Sequence, residues 1–417
     1  MASNLDLREK RDAFEQAAAQ DTGLTIVTIR PNYPGPEKRN LHSNYVSFAM
    51  LTALEKQLDA RTIWHSHDAE GLTFYLAVTQ DGDAAKRIAL AAEQDHPLGR
   101  LTDIDVRTAS RIWSRSELGL PGRTCFICQE DAIVCTRMAT HPHQEVAAFF
   151  TRTVDDYLSH GPLPDCIRRM AAFALLSELC RETGYGCVTA NSCGSHRDMG
   201  FLTFIRSIQA VSDGLGSAAL EPETDFHALR RFGLSLEQAM FRATAGINTH
   251  KGAIFIYLLI LGSLLHSKAF EDMKEQIARL SAPVLEDLKR ADSSHGLRIY
   301  RDFGITGIRG EAVAGFPALF DVYVRTYDES RDMDRLSLTV MSSADDTNVI
   351  HRAGLEYLRM LQLMSREVLD GKLRAADLDA WCLERNISTG GSADLIGATV
   401  FAWLIRAHYH RLKGGTL

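Results

Sequence analysis

The sequence predicts a chain of more than one domain: an N-terminal α+β domain followed by an all-α helical domain. Three observations predict it. Short β-branched runs alternate with helical stretches in the first part. Strong β-runs are scarce in the second, where long helical patterns dominate. Between the two, Ser159-His160-Gly161-Pro162-Leu163-Pro164 gathers turn formers. The division is therefore placed at 1–160 and 161–417, and a chain of 417 residues gives each part room for its own core.

In the first part, Leu7 to Ala19 reads as a surface helix and Leu24 to Arg30 as a strand ended by Pro31. A Pro- and Gly-bearing loop, Asn32 to Lys38, follows. His42 to Ala60 has helical periodicity. Arg61 to His65 and Leu72 to Thr79 read as strands, Asp83 to Gln94 as a helix and Leu101 to Arg107 as a strand. That β-α-β-β-α-β order predicts a split βαβ, ferredoxin-like sheet. The second part offers helices over Cys166 to Glu182, Asp198 to Leu215, Ser235 to Ala245, Gly252 to His266, Phe270 to Arg290, Asn348 to Leu369 and Ser392 to Arg411.

Composition narrows the function classes. The formal net charge is −7 and neither half is basic, which argues against nucleic acid and anionic membrane as partners. Residues Met1 to Lys10 contain no apolar stretch of signal-peptide type. The longest apolar run, Ala253 to His266, is too short to cross a bilayer and reads as a core helix. A cytoplasmic location and reduced cysteines are expected.

Leu101 to Val106 carries Asp103-x-Asp105 on a predicted strand. Residues two apart share a strand face, so both carboxylates point the same way. Such a pair can hold Mg²⁺ for phosphoryl or nucleotidyl transfer, although a solvated edge-strand face gives the same spacing. His96, Arg100, Lys86, Arg87 and Lys38 are candidate cations for phosphate. Cys125-x2-Cys128-x6-Cys135, with His141 and His143 after it, has zinc-like spacing. Closure through His141 or His143 predicts a structural Zn²⁺; half-buried reduced thiols are the alternative.

The most informative stretch is Gly246-Ile247-Asn248-Thr249-His250-Lys251-Gly252-Ala253, which runs into an apolar helix. Asn248 or Thr249 is a suitable N-cap, and the helix N-terminus with Lys251 predicts a phosphate site. Four further polar junctions open helices or lie between glycines: Gly194 to Met199 with Asp198, Gly307 to Ala312 with Arg309 and Glu311, Asp345-Asp346-Thr347-Asn348 with His351 and Arg352, and Asn386 to Asp394. Any one could be a capped helix. Together they offer carboxylates for Mg²⁺ (Asp198, Asp345, Asp346, Asp394) and cations for phosphates, which fits a nucleotide substrate.

These motifs carry a resemblance. The second half resembles triphosphoribosyl-dephospho-CoA synthase through Ser195 to Met199, Gly246 to Phe255, Gly307 to Ala312 with Gly315-Phe316-Pro317, Asp346-Thr347-Asn348 with His351-Arg352, and Gly390 to Leu395. The first half resembles the apo-citrate lyase phosphoribosyl-dephospho-CoA transferase through Pro34-Gly35-Pro36 with Lys38, Lys86-Arg87, Glu93 with His96 to Arg100, Asp103-x-Asp105, and Arg123-x-Cys125-x-x-Cys128. The pattern departs from the synthase family at Gly184 to Val188, Gly200, Leu236 and Ser388-Thr389.

The resemblance implies ATP and 3′-dephospho-CoA as substrates and the citrate lyase acyl carrier (gamma) subunit as partner. The second half would release adenine from ATP, and the first would attach the product to a carrier serine with loss of pyrophosphate. Glu237 and Glu311 are the candidate catalytic carboxylates of the synthase half, with neither preferred. Asn248, Thr249, His250, Lys251, Arg309, Asn348 and Arg352 would bind substrate. In the transferase half Asp103 and Asp105 would act with Mg²⁺. Two rival readings are a nucleotide or ADP-ribose glycohydrolase, and a zinc-bearing scaffold that binds the carrier with inactive sites.

Overall fold

The computed structural model describes residues 4–119, 121–128, 130–220, 225–284, 286 and 295–414. It divides into two compact units, Met1–Leu158 and Ser159–Leu417.

The first unit is built on a five-stranded sheet in which all pairings are antiparallel. Helix α1 (Asn4–Thr22) precedes β1 (Thr25–Pro31), α2 (Leu41–Leu54), β2 (Ala60–Asp68), β3 (Gly71–Val78), α3 (Gly82–Asp95) and β4 (Thr102–Arg107). The strand order is β2-β3-β1-β4-β5, so β3 lies between the two strands joined by α2, and β1 between the two joined by α3. The short edge strand β5 (Ile112–Trp113) is an addition the sequence pattern did not predict. All eight residues of β3 are buried, as expected of a strand covered on both faces. Register sets the polar face: Arg30 of β1 lies opposite Asp103 of β4, and Thr28 opposite Asp105. Thr28 Oγ1 donates to Glu15 Oε1 of α1 at 2.9 Å, which places α1 over that face.

Two helices follow in this region, α4 (Ala132–Met138) and α5 (His143–Ser159). Asp131 caps α4 by accepting the N–H groups of Ile133 and Val134.

In the second unit α6 (Leu163–Leu179), α9 (Lys251–His266) and the Gly390–Ala407 helix pack together. Tyr257 stacks on Phe401 with ring centroids 4.6 Å apart. A helix apolar on all sides belongs inside a core, and α9 behaves so: its residues from Ala253 to Leu264 are buried except Phe255. No helix among the described residues is long and apolar enough to cross a membrane.

Several expected helix limits differ. Gly354 adopts φ 104°, and splits the expected Asn348 to Leu369 helix into Thr347–Ala353 and Leu355–Leu369. Helix α7 starts at Phe201, after Asp198, and runs to Ala218. Helix α8 starts earlier than expected, at Phe226, because Asp225 accepts the Ala228 N–H; it ends at Ala243. The expected Phe270 to Arg290 helix is a short turn followed by α10 (Met273–Ser281), and part of its remainder lies outside the described residues.

Candidate functional sites

The five polar junctions of the second half converge. A cavity of about 740 Å³ is lined by His196 and Asp198, by Asn248 to Ala253, by Thr306 to Ile308 with Gly310 and Glu311, by Asp345 to Asn348 with Arg352, and by Ser388, Gly390, Gly391, Ala393 and Asp394. That size suits a nucleotide-scale ligand.

The N-terminus of α9 lies at this cavity. The helix starts at Lys251, whose N–H reaches Asn248 Oδ1 at 3.4 Å. The carboxyl group of Asp394, from the last long helix, lies against the same first turn at Gly252. Asp394 therefore lines the cavity beside the helix start to which the sequence assigned phosphate. A Cβ on Gly252 would stand 2.0 Å from Asp394 Oδ2, so glycine is what admits the acid. Enclosure of that carboxylate, together with nearby Glu178 and Asp346, holds its pKa well above the usual range. Lys251 pairs with Glu237 at 2.9 Å.

His250 lines the same cavity. It is buried, its Nδ1 lies 2.6 Å from Ser207 Oγ, and Thr249 Oγ1 donates to the same hydroxyl at 2.6 Å. Burial pushes its pKa down to about 3, so the ring is neutral at physiological pH. Phe204 meets it edge to face at 5.1 Å.

The other expected residues fall into distinct roles. Asp346 is 2% exposed, and both its oxygens are engaged. Oδ1 accepts the N–H of Asn348 and Val349, and Oδ2 accepts Ser392 N–H at 2.7 Å and its hydroxyl at 2.9 Å. Asp346 thus caps one helix while tying it to another, which leaves Asp198 and Asp345 as the open carboxylates at the cavity. Glu311 lines the cavity half-buried, and burial raises its pKa. Glu237 does not line it and reaches it through Lys251. Arg309 is half-buried and also outside the lining.

Arg352 Nη1 donates to the carbonyls of Ser195 at 3.4 Å and Asn386 at 3.3 Å, and Nη2 points at His196 Nδ1 at 3.4 Å. Because an arginine only donates, Nδ1 accepts, and His196 Nε2 carries the proton that it donates to Ser388 Oγ at 2.9 Å. Burial, then Arg352, lowers the His196 pKa. Sequence reasoning missed Glu178, a lining residue buried in α6 with Arg181 Nη2 at 2.6 Å. Its only signal is an acid inside the apolar run Ala171 to Leu179.

In the first unit Asp103 and Asp105 do share a face. Arg30 binds Asp103 and lies 3.2 Å from Asp105, and Arg123 Nη1 lies 3.1 Å from Asp103. Burial pushes Asp103 up, but the two guanidinium groups outweigh it and leave its pKa lowered. A second cavity, of about 800 Å³, is lined by Lys38, Glu93, Arg100, Arg115 and Arg123 among others. Glu93 anchors two of these cations, with Arg123 at 2.6 Å and Arg115 at 3.1 Å. Arg30 and Arg115 were not identified from sequence: the Arg30 pairing depends on strand register, and the Arg115 contact with Glu93 of α3 on tertiary packing.

Lys38 is buried against Glu70 at 3.0 Å. Lys86 is buried and donates to the Ile104 carbonyl at 2.8 Å, so it braces α3 on β4 and does not line the cavity. Arg87 lies on the exposed face of α3, 2.7 Å from Asp83 and away from the lining. His96 accepts the Leu98 N–H at Nδ1 and meets Tyr157 Oη at Nε2, a loop-fixing role outside the lining. Cys125, Cys128, Cys135 and His141 come together, with one ligand atom from each within 4.8 Å of the others. His143 turns to Gly35 instead: a Cβ there would stand 2.3 Å from His143 Nε2.

Comparison with known proteins agrees with this two-unit arrangement. Residues 1–157 match the apo-citrate lyase phosphoribosyl-dephospho-CoA transferase family, and residues 164–412 match the ATP:dephospho-CoA triphosphoribosyl transferase family. The chain is 31% identical to Protein CitXG of Haemophilus influenzae, covering 95% of this chain and 94% of that one. It is 28% identical to Protein CitXG of Leuconostoc mesenteroides over 95% of each chain. It is also 31% identical to the 2-(5''-triphosphoribosyl)-3'-dephosphocoenzyme-A synthase of Haemophilus ducreyi, covering 66% of this chain and 98% of that one. The chain is a transferase that belongs to the ATP:dephospho-CoA triphosphoribosyl transferase family, preceded by an apo-citrate lyase phosphoribosyl-dephospho-CoA transferase domain.

Proposed function

We propose that this chain both makes and attaches the prosthetic group of citrate lyase. The second unit joins ATP to 3′-dephospho-CoA: the 2′-hydroxyl of dephospho-CoA attacks the ribose anomeric carbon of ATP, the glycosidic bond breaks, and adenine leaves. The first unit then transfers the product's phosphoribosyl-dephospho-CoA portion to a serine of the acyl carrier subunit. The serine oxygen attacks the α-phosphorus and pyrophosphate leaves.

The observation that carries the first reaction is the convergence of five separate motifs on one cavity. Substitution at an anomeric carbon passes through an oxocarbenium-like state, which a carboxylate stabilises or assists by accepting the nucleophile's proton. Glu311 suits this role better than Glu237: it lines the cavity, and its raised pKa makes it a stronger base. Lys251 and Arg352 place positive charge at the same wall for the triphosphate. Asp198 and Asp345 fit Mg²⁺ as open oxygen donors, and the ion would supply charge neutralisation of the triphosphate. In the first unit, Lys38, Arg100, Arg115 and Arg123 offer a cationic wall to phosphates; Asp103 and Asp105 lie outside that lining, paired with Arg30, and would hold Mg²⁺ only by exchanging that guanidinium for the ion.

Incubating the full chain with ATP, 3′-dephospho-CoA and apo acyl carrier tests both steps. The carrier should gain the mass of the phosphoribosyl-dephospho-CoA unit. A carrier of unchanged mass in a reaction that has accumulated the triphosphoribosyl intermediate would refute the transfer step.

A further inference from the structure

The Cys125–His141 cluster lies outside the chemistry proposed for either cavity. We propose that Cys125, Cys128, Cys135 and His141 bind one zinc ion, which fixes the segment carrying Arg123 against β4.

The donor set and its spacing fit. Zinc in structural sites takes four ligands, and Cys3His is one of the standard sets. Tetrahedral Zn–S bonds of about 2.3 Å place two sulfurs roughly 3.8 Å apart. Cys128 Sγ lies 3.4 Å from Cys135 Sγ, and His141 Nε2 lies 3.3 Å from Cys128 Sγ. The three cysteines are free thiols, so no disulfide accounts for their approach.

The surroundings fit too. Glu145 Oε2 stands 3.9 Å from His141 Nδ1, the ring nitrogen turned away from the sulfurs. That is just beyond hydrogen-bond reach, on the side of the ring where a zinc-bound imidazole takes a carboxylate partner. The Ile127 N–H donates to Cys125 Sγ at 3.4 Å. A zinc ion with three thiolates and a neutral imidazole carries one net negative charge, and Arg100 Nη2 donates to the Cys125 carbonyl at 3.0 Å beside it.

Helix α4 itself adds little cohesion to the segment. Helix α4 buries only Cys135, while Ile133, Val134 and Met138 are 58%, 53% and 73% exposed. Apolar burial along α4 is slight, and a metal centre substitutes for a core in such small substructures. The same segment delivers Arg123 to Glu93 and Asp103, and Thr124 and Cys125 to Arg100. Cys125, Cys135 and His141 themselves line the second cavity, so the ion would shape one of its walls.

Elemental analysis of full-length protein, expressed with added zinc and purified without chelator, tests this. One zinc per chain is expected, lost in Cys128→Ser and Cys135→Ser and kept in His143→Ala. Cobalt(II) added to the chelator-stripped wild-type chain should give tetrahedral thiolate–cobalt absorption, and this alone decides where a cysteine variant fails to fold. Zinc-free protein that gives no such cobalt spectrum, or a native Cys128–Cys135 disulfide, would overturn the proposal. Neither readout depends on transferase activity.

Discussion

Asp394 packs against Gly252 so closely that a Cβ on the glycine would stand 2.0 Å from Asp394 Oδ2, so a carboxyl group from the last long helix abuts the first turn of the central helix. The two helices are locked at the wall of the synthase cavity by this contact. Truncating a buried, closely packed side chain leaves a void that lowers stability. Asp394→Ala should lower thermal stability accordingly, while Asp394→Asn, which fills the same space, should not. Gly252→Ala should mimic Asp394→Ala, because the new methyl collides with Asp394 Oδ2. Thermal unfolding of the three variants checks this, and three unchanged transitions would remove the contact.

The same carboxylate gives a pH signature. Its folded-state pKa is raised, so the folded state binds more protons than the unfolded one. Its contribution is most favourable below the ordinary aspartate value of 3.8 and declines as pH rises through the folded pKa. Relative to wild type, Asp394→Asn should therefore gain stability with rising pH, measured by urea unfolding at a series of pH values. A difference that is flat or falls with pH contradicts the burial argument.

Glu311→Gln should reduce kcat for adenine release by roughly 10²–10⁴-fold with a small change in KM, as expected for loss of a general base. The acidic limb of the wild-type profile should lie above the ordinary glutamate value of 4.5, because burial raises the Glu311 pKa and the base form is lost as pH falls. Glu237→Gln should act through Lys251 and raise KM for ATP instead. Steady-state kinetics with separate KM and kcat values distinguishes the two.

His250 should not titrate near neutrality. With its pKa pushed down to about 3, the ring NMR signals should stay constant from about pH 5 to 8. A titration in that range would show that the ring is exposed to charge and able to bind phosphate as a cation.

In the transferase unit, Arg123→Ala removes ion pairs to Glu93 and Asp103. Charged hydrogen bonds are worth about 1.5–3 kcal/mol, so carrier transfer should fall roughly tenfold or more. Arg87→Ala, an exposed pair with Asp83, should leave transfer within about twofold. Pyrophosphate release measures both.

The sequence was most legible where signal is local. Period two puts Asp103 and Asp105 on one face, where Arg30 meets both. Motifs at helix starts were legible as places but not as roles. Asn248 to Lys251 reads as an open anion site because nothing local shows that Asp394, far along the chain, docks there. Arg30 was invisible for a similar reason: its partner Asp103 follows from strand register. Glu178 was hidden by the apolar helix around it. Between His141 and His143, spacing gave no choice; contact of His143 with Gly35 leaves His141 to face the cysteines.

Chromatographic assay of adenine released from ATP and Mg²⁺, with and without 3′-dephospho-CoA, tests the central claim most directly. Adenine should appear only with dephospho-CoA, together with a CoA derivative heavier by the triphosphoribosyl group. Adenine released equally without dephospho-CoA would make the second unit a hydrolase, and none at all from folded protein would contradict the synthase reading.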